Sequence, residues 1–196
     1  MTFSHIMLDL ETLSSQRDAM IVSIGAVRFD LDNFTVAERG SDDEFYMIVN
    51  LEEKEGYSLR IDTATVKWWM QQDERARAVF KEQGDKLTTV LSEFNRFVRN
   101  NNLPHEAAEN TLIWGNGATF DNVILRHAYE ACGMAYPVGY RNDMCYRTVR
   151  KMFAHLNIYT PDGPAGVILH NALDDARNQA AKLVRIFQIL SQQNTK

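Results

Sequence analysis

Two carboxylates inside an apolar run constrain this chain more than any other feature. Asp9 and Glu11 lie two apart in His5-Ile6-Met7-Leu8-Asp9-Leu10-Glu11-Thr12, a segment that reads as a β-strand over residues 4–11. Side chains at i and i+2 of a strand point to the same face. That face then carries two adjacent negative charges next to a core. Like charges so placed repel, and burying them costs several kcal/mol unless positive charge is supplied. No Lys or Arg precedes Arg17. A divalent cation is the natural partner, and hard oxygen ligands favour Mg²⁺ or Mn²⁺.

The remaining 185 or so residues must build the rest of such a site. At 196 residues the chain is long enough for one compact α/β domain, and no linker, repeat or low-complexity block divides it, so 1–196 is expected to be a single domain. The net charge of −5 excludes a generally basic nucleic-acid coat. Any nucleic-acid contact must be local, metal-mediated or limited to a strand end. Cys132 and Cys145 lack metal-ligand spacing and read as thiols of a reducing compartment. No basic signal segment or run of about 20 apolar residues occurs, which leads to the expectation of a cytoplasmic protein without a membrane span.

Further strands are expected at Met20–Phe29, Glu44–Val49, Thr111–Trp114 and near Gly139–Met144, with Asp30–Asn33 as a turn. The first three form an antiparallel meander. Helical periodicity marks Thr63–Gln72, Leu87–Val98, a segment ending near Ala131, and Tyr146–His155. Residues 156–169, with Pro161, Gly163, Pro164 and Gly166, read as a loop. The last helix carries Leu173, Ala176, Ala180, Leu183, Val184, Phe187 and Leu190 on one stripe, with Asp174 turned to solvent. Strands first, then strand–helix alternation, predict a mixed five-stranded sheet flanked by helices.

An Asp-x-Glu pair alone is most often a solvated face. Two further places strengthen it. Asp121 follows a strand and the Gly115-Asn116-Gly117 turn and opens a helix, where Thr119 or Asp121 can cap it. A helix N-terminus favours an acid by about 0.3–1 kcal/mol without any function, but strand ends are also where α/β sheets gather ligands. Asp175 lies in the first turns of the last helix beside its buried stripe, preceded by His170. An imidazole titrates near neutral pH and can take a proton from a water.

The ordered set Asp9-x-Glu11, Asp121 and His170-x-Ala172-x-x-Asp175 resembles the DEDDh branch of the DnaQ-like 3′–5′ exonuclease superfamily, which has a ribonuclease H-like fold. The Tyr-x-x-x-Asp branch is not matched. Ile21–Val27, Trp68-Trp69-Met70-Gln71-Gln72 and Cys145–Thr148 are similar to phage and bacterial proteins labelled exodeoxyribonuclease VIII-like or 3′–5′ exoribonuclease-like. The resemblance implies two Mg²⁺ or Mn²⁺ ions about 3.5–4 Å apart, held by Asp9, Glu11, Asp121 and Asp175, with Asp9 bridging them. It implies His170 as general base, release of nucleoside 5′-monophosphates, and a single-stranded DNA or RNA 3′ end as partner; relatives are often dimers. By position, Thr12 and Leu13 would meet the terminal nucleotide. Phe120 and Trp69 are candidates for base stacking, worth about 1–3 kcal/mol per base. Of the adjacent Trp68 and Trp69, one is expected buried and one partly exposed.

Arg141, Arg147, Arg150 and Lys151 outnumber Asp143 and form either a track for phosphates or a solvated helix face. Three other readings compete. RNA trimming against DNA degradation is left open. A nucleic-acid-binding module without activity would be expected to have lost a ligand, and none is missing. A phosphatase acting on small phosphates would need a deep closed pocket.

Overall fold

The computed structural model describes residues 4–52, 58–99, 110–154 and 170–193. The expected loop 156–169 and His155 lie outside the described residues. Strand β1 (His5–Thr12) is central and pairs antiparallel with β2 (Ile21–Asp30). On its far edge β2 takes β3 (Thr35–Val36) and β4 (Glu44–Ile48), both antiparallel. On its other side β1 pairs in parallel with β5 (Leu112–Gly115), which pairs in parallel with β6 (Asp143–Cys145). The mixed sheet is as expected, but it has six strands, because the two-residue β3 adds to the five anticipated. So short a strand carries no periodic signal. It forms because the Asp30 carboxylate accepts from the Asp32 and Asn33 amides and folds the chain back along β2.

Helices α1 (Thr63–Met70), α2 (Glu74–Arg77), α3 (Leu87–Arg99), α4 (Asp121–Ala131), α5 (Tyr146–Met152) and α6 (Ala172–Gln193) flank the sheet. Strand β1 is buried on both faces, so its alternating side chains feed two separate cores. Ile6, Leu8 and Leu10 pack with Leu91 and Phe94 of α3 and Leu125 of α4. Met7 and β2's Val27 and Phe29 pack with Ala176, Ala180 and Leu183 of α6. Burying each Leu or Phe contributes about 1.5–3 kcal/mol. Asp9 and Glu11 share the α6 face with Met7.

Gly25 allows α6 to settle there. It pairs with Asp9 across the ladder, and a Cβ on it would lie 2.1 Å from the Ala172 carbonyl carbon. The first turn of α6 therefore rests directly on β2 backbone. No helix among the described residues is long and apolar enough to cross a membrane.

Candidate active site

Asp9 and Glu11 lie on the β1 face covered by α6, and both are buried, at 9% and 7% exposure. A register shift between Glu11 and Thr12 ends the regular ladder just past them. Asp121 is the first residue of α4, but neither it nor Thr119 caps the helix: Phe120 occupies that position without a side-chain cap. The Asp121 carboxylate turns back instead, accepting from the Leu10 amide (3.3 Å) and the Gly117 amide (3.1 Å). That sets it against β1 at the residue between Asp9 and Glu11. Gly115 makes the close approach feasible, since a Cβ there would meet the Asn122 Oδ1 at 2.3 Å and the Asp121 Cβ at 2.9 Å.

From α6, Asp175 reaches the same place. Glu11, His170 and Asp175 bring ligand-capable atoms within 4.8 Å of one another. The His170 amide donates to Asp175 Oδ2 at 3.1 Å, and His170 holds a left-handed φ of 62°. A non-glycine residue in that conformation stores local strain, which is often found where function depends on a side chain's placement. The His170 ring lies edge-on to Trp68, with centroids 4.9 Å apart. Asn171 caps α6, its Oδ1 accepting from the Leu173 and Asp174 amides.

The electrostatics are those of an anionic cluster taken out of water. Burial, then Asp121, Glu11 and Asp175, hold the Asp9 carboxyl well above the usual carboxylate range, against the opposing hydrogen bond from Gln179. Glu11 is pushed up to about 8 by burial, then by Asp175 and Asp121. Burial raises Asp121 to about 6, partly offset by the Gly117 and Leu10 amides. Asp175 is also raised by burial, while His170 draws it down. Four converging carboxylates make a hard-oxygen donor set of high negative charge, which fits divalent cations of the Mg²⁺ class. Bound cations would reverse these shifts.

The expectation for Asp174 is corrected, and the tryptophan pair divides as expected into one buried and one exposed ring. Asp174 is not a surface charge: it is buried, and Arg39 Nη1 donates to its Oδ1 at 2.9 Å. The segment carrying Arg39 covers this side of the helix, a contact 135 residues apart in sequence. Of the tryptophan pair, Trp69 is buried, its Nε1 donating to the Thr12 carbonyl, whereas Trp68 is exposed. Trp69 thus props the end of β1, and the face open for stacking belongs to Trp68. Leu13 is buried beside Trp69, and Phe120 is half-buried against the α3–α4 core. The Thr12 hydroxyl donates to the Ser14 carbonyl at 2.7 Å.

Gln179 escaped the sequence reading. Its Nε2 donates to Asp9 Oδ1 at 2.7 Å. A buried polar residue on the apolar stripe of α6, one turn after Asp175, was the signal that could have found it. Tyr46, whose β4 position pairs with Gly25, also stands near this site, and burial raises its phenol.

A family model described as a 3′-5′ exoribonuclease Rv2179c-like domain matches residues 4–187. No curated protein sequence matches the chain. Among solved structures, cell-death related nuclease 4 (CRN-4) aligns with a TM-score of 0.63 at 16% identity, over 96% of this chain and 65% of that one. The nuclease domain of 3′hExo, a DEDDh family member bound to rAMP, aligns with a TM-score of 0.61 at 13% identity, over 95% of this chain and 93% of that one. E. coli Exonuclease I in complex with a dA16 oligonucleotide aligns with a TM-score of 0.60 at 17% identity, over 96% and 43%. At these identities the likeness is one of fold. The chain spans less than two thirds of CRN-4 and less than half of exonuclease I.

Proposed function

This chain belongs to the 3′-5′ exoribonuclease Rv2179c-like domain family; on that premise we propose that it is a metal-dependent 3′–5′ exonuclease that shortens single-stranded RNA from the 3′ end, releasing nucleoside 5′-monophosphates. The observation that carries this reading is the cluster of Asp9, Glu11, Asp121 and Asp175, whose carboxyls are all raised, first of all by burial.

Glu11 and Asp175, with Asp9, would hold a cation near the attacking water, and Asp9 with Asp121 would hold a second near the leaving 3′-oxygen. Such a Mg²⁺ or Mn²⁺ pair would acidify the water and neutralise charge on the phosphate and leaving group. The chain's own groups do the rest. His170 takes the water's proton, held beside Glu11 and Asp175 by its strained backbone and by its T-shaped contact with the Trp68 ring. Gln179 fixes the rotamer of Asp9. The Thr12 hydroxyl, already donating to Ser14, keeps lone pairs that can accept from the terminal 3′-hydroxyl. Trp68 offers a stacking face to a base near the 3′ end. We assign the protein to the cytoplasm, a reading supported by its cysteines being thiols.

The test is a time course on 5′-labelled RNA and DNA of one sequence, with Mg²⁺, Mn²⁺ or chelator. A ladder shortening from the 3′ end, faster on RNA and abolished by chelator and by Asp175→Ala, is expected. Equal degradation by Asp175→Ala would place the activity elsewhere. Faster DNA degradation would overturn the choice of polymer. His170→Ala should slow turnover about 10²–10⁴-fold, yet keep the rise in Tm caused by the cation; loss of that rise would sink the general-base assignment.

A further inference from the structure

We propose that Arg147 grips the phosphate of the second linkage from the 3′ end, so that α5 leads the strand away from the acids. This rests on the preceding assignment of Asp121 to the leaving-group side, since the strand continues 5′ from the leaving oxygen.

Four observations support it. Strands β5 and β6 run in parallel with Gly115 opposite Cys145, so α5 begins beside the turn that carries Asp121. The Arg147 amide donates to the Asn116 carbonyl at 3.2 Å, anchoring its backbone to that turn. Its guanidinium lies across Gly117: a Cβ there would stand 3.4 Å from Cζ and 3.5 Å from both terminal nitrogens. Gly117 has no positive φ, so its backbone does not demand glycine, and the guanidinium stands at ordinary van der Waals distance from a Cβ there. The same Gly117 donates its amide to Asp121. Arg147 is therefore one peptide away from the cluster, and its charge bears on Asp121.

The fourth observation is that this cation is in direct contact with no carboxylate among the described residues. Asp143, the acid closest to it in sequence, is held by Arg126 Nε at 2.7 Å and Asn122 Nδ2 at 3.0 Å. Among the described residues, Arg147, Arg150 and Lys151 have no ion pair, and all three are exposed on α5. On a chain of net charge −5 this is a local positive strip leading away from an anionic site. A planar guanidinium suits two phosphate oxygens at once. Arg150 and Lys151, further along α5, follow as weaker backbone contacts.

The experiment is a cycle of one protein change and one RNA change. RNA with a single uncharged methylphosphonate at the second linkage from the 3′ end is compared with unmodified RNA. Wild type is expected to lose about 10–100-fold in kcat/KM on the modified strand, the weight of one charge-assisted contact. Arg147→Gln should lose about as much on unmodified RNA and be indifferent to the methylphosphonate. Its slope of log(kcat/KM) against log salt should fall by about 0.7, the single-strand value for one phosphate. Dissociation constants in the His170→Ala background with Mg²⁺ give the same cycle without turnover, so a failure of the exonuclease reading leaves the Arg147 cycle readable. Equal methylphosphonate penalties in wild type and Arg147→Gln would overturn the proposal, as would a penalty that Arg147→Gln removes at the third linkage instead. Arg147 is exposed, so an unchanged Tm should accompany every variant at that position.

Discussion

The two faces of the central sheet each bury charge, and they treat it oppositely. On the α3 face, Arg28 of β2 is fully buried, yet its surroundings answer it. Its guanidinium donates to the Phe97 and Val98 carbonyls at the end of α3, where a helix leaves carbonyls unpaired. Its Nε lies 3.5 Å from Asp43, and Phe97 packs beneath the cation. On the α6 face, Asp9 receives one neutral amide from Gln179 and is pressed by three other acids. A buried charge compensated from within the chain holds the fold together. One whose compensation must come from outside marks where the protein binds something.

That contrast can be broken in several ways. The largest effect is expected from Asp9→Asn, which keeps the shape and the acceptor for Gln179 but removes the charge. Activity should fall on the order of 10³-fold or more. The metal-free protein should nevertheless melt higher, because a repelling buried anion is gone; a lower Tm in chelator would contradict the account. Gly25→Ala attacks the geometry instead. Its Cβ would fall 2.2 Å from the Leu173 nitrogen, so α6 must move off the sheet. We expect a cost of about 1–3 kcal/mol or more in urea unfolding and roughly 10²-fold in kcat as Asp175 shifts from Glu11.

The acids also predict a pH dependence of known sign. Burial and its acidic neighbours push Glu11 up to about 8 in the folded protein, from 4.5 for the free side chain. Between those values the native state holds more protons than the unfolded one, so stability falls as pH rises. In chelator, unfolding free energy should drop by a few kcal/mol in total from pH 4.5 to 8. Saturating Mg²⁺ or Mn²⁺ should flatten or reverse that slope, since ligand binding requires deprotonated carboxylates. A metal-free protein that gains stability over this range would show that the cluster is already compensated. The smallest effect belongs to the other face. Arg28→Met should cost about 1–3 kcal/mol, leaving the α3 carbonyls and Asp43 unanswered, with kcat unchanged for the folded fraction. A tenfold fall in kcat would mean that the two faces are coupled.

Much of this was legible because it is local. The strand through Asp9 and Glu11, the antiparallel meander, the Asp30–Asn33 turn and the stripes of α3 and α6 all follow from short-range periodicity. The acids stood out because carboxylates in apolar surroundings are costly wherever they fall. What escaped depends on contacts distant in sequence. Asp174 appeared off the stripe of α6, and no periodicity announces that Arg39 will cover it. Thr119 and Asp121 looked like caps, but the Leu10 amide, 111 residues away, recruits Asp121 instead. Trp69 and Trp68 are equivalent by composition, and the Thr12 carbonyl decides which one is buried.

Taken alone, the chain's order of residues determined that Asp9 and Glu11 must share one face of a buried strand, and that four acids and a histidine need a cation. Those conclusions rest on backbone periodicity and on the cost of dehydrating charge, which act at every position regardless of the rest of the fold. Tertiary structure alone decided which distant groups meet them. Gly25 lets α6 touch the sheet and so delivers Asp175, His170 and Gln179 to β1. Gly115 clears the space in which Asp121 and Asn122 stand. These are matters of close packing, where the absence of one methyl group admits a backbone or a side chain, and no local pattern encodes the neighbour that will arrive.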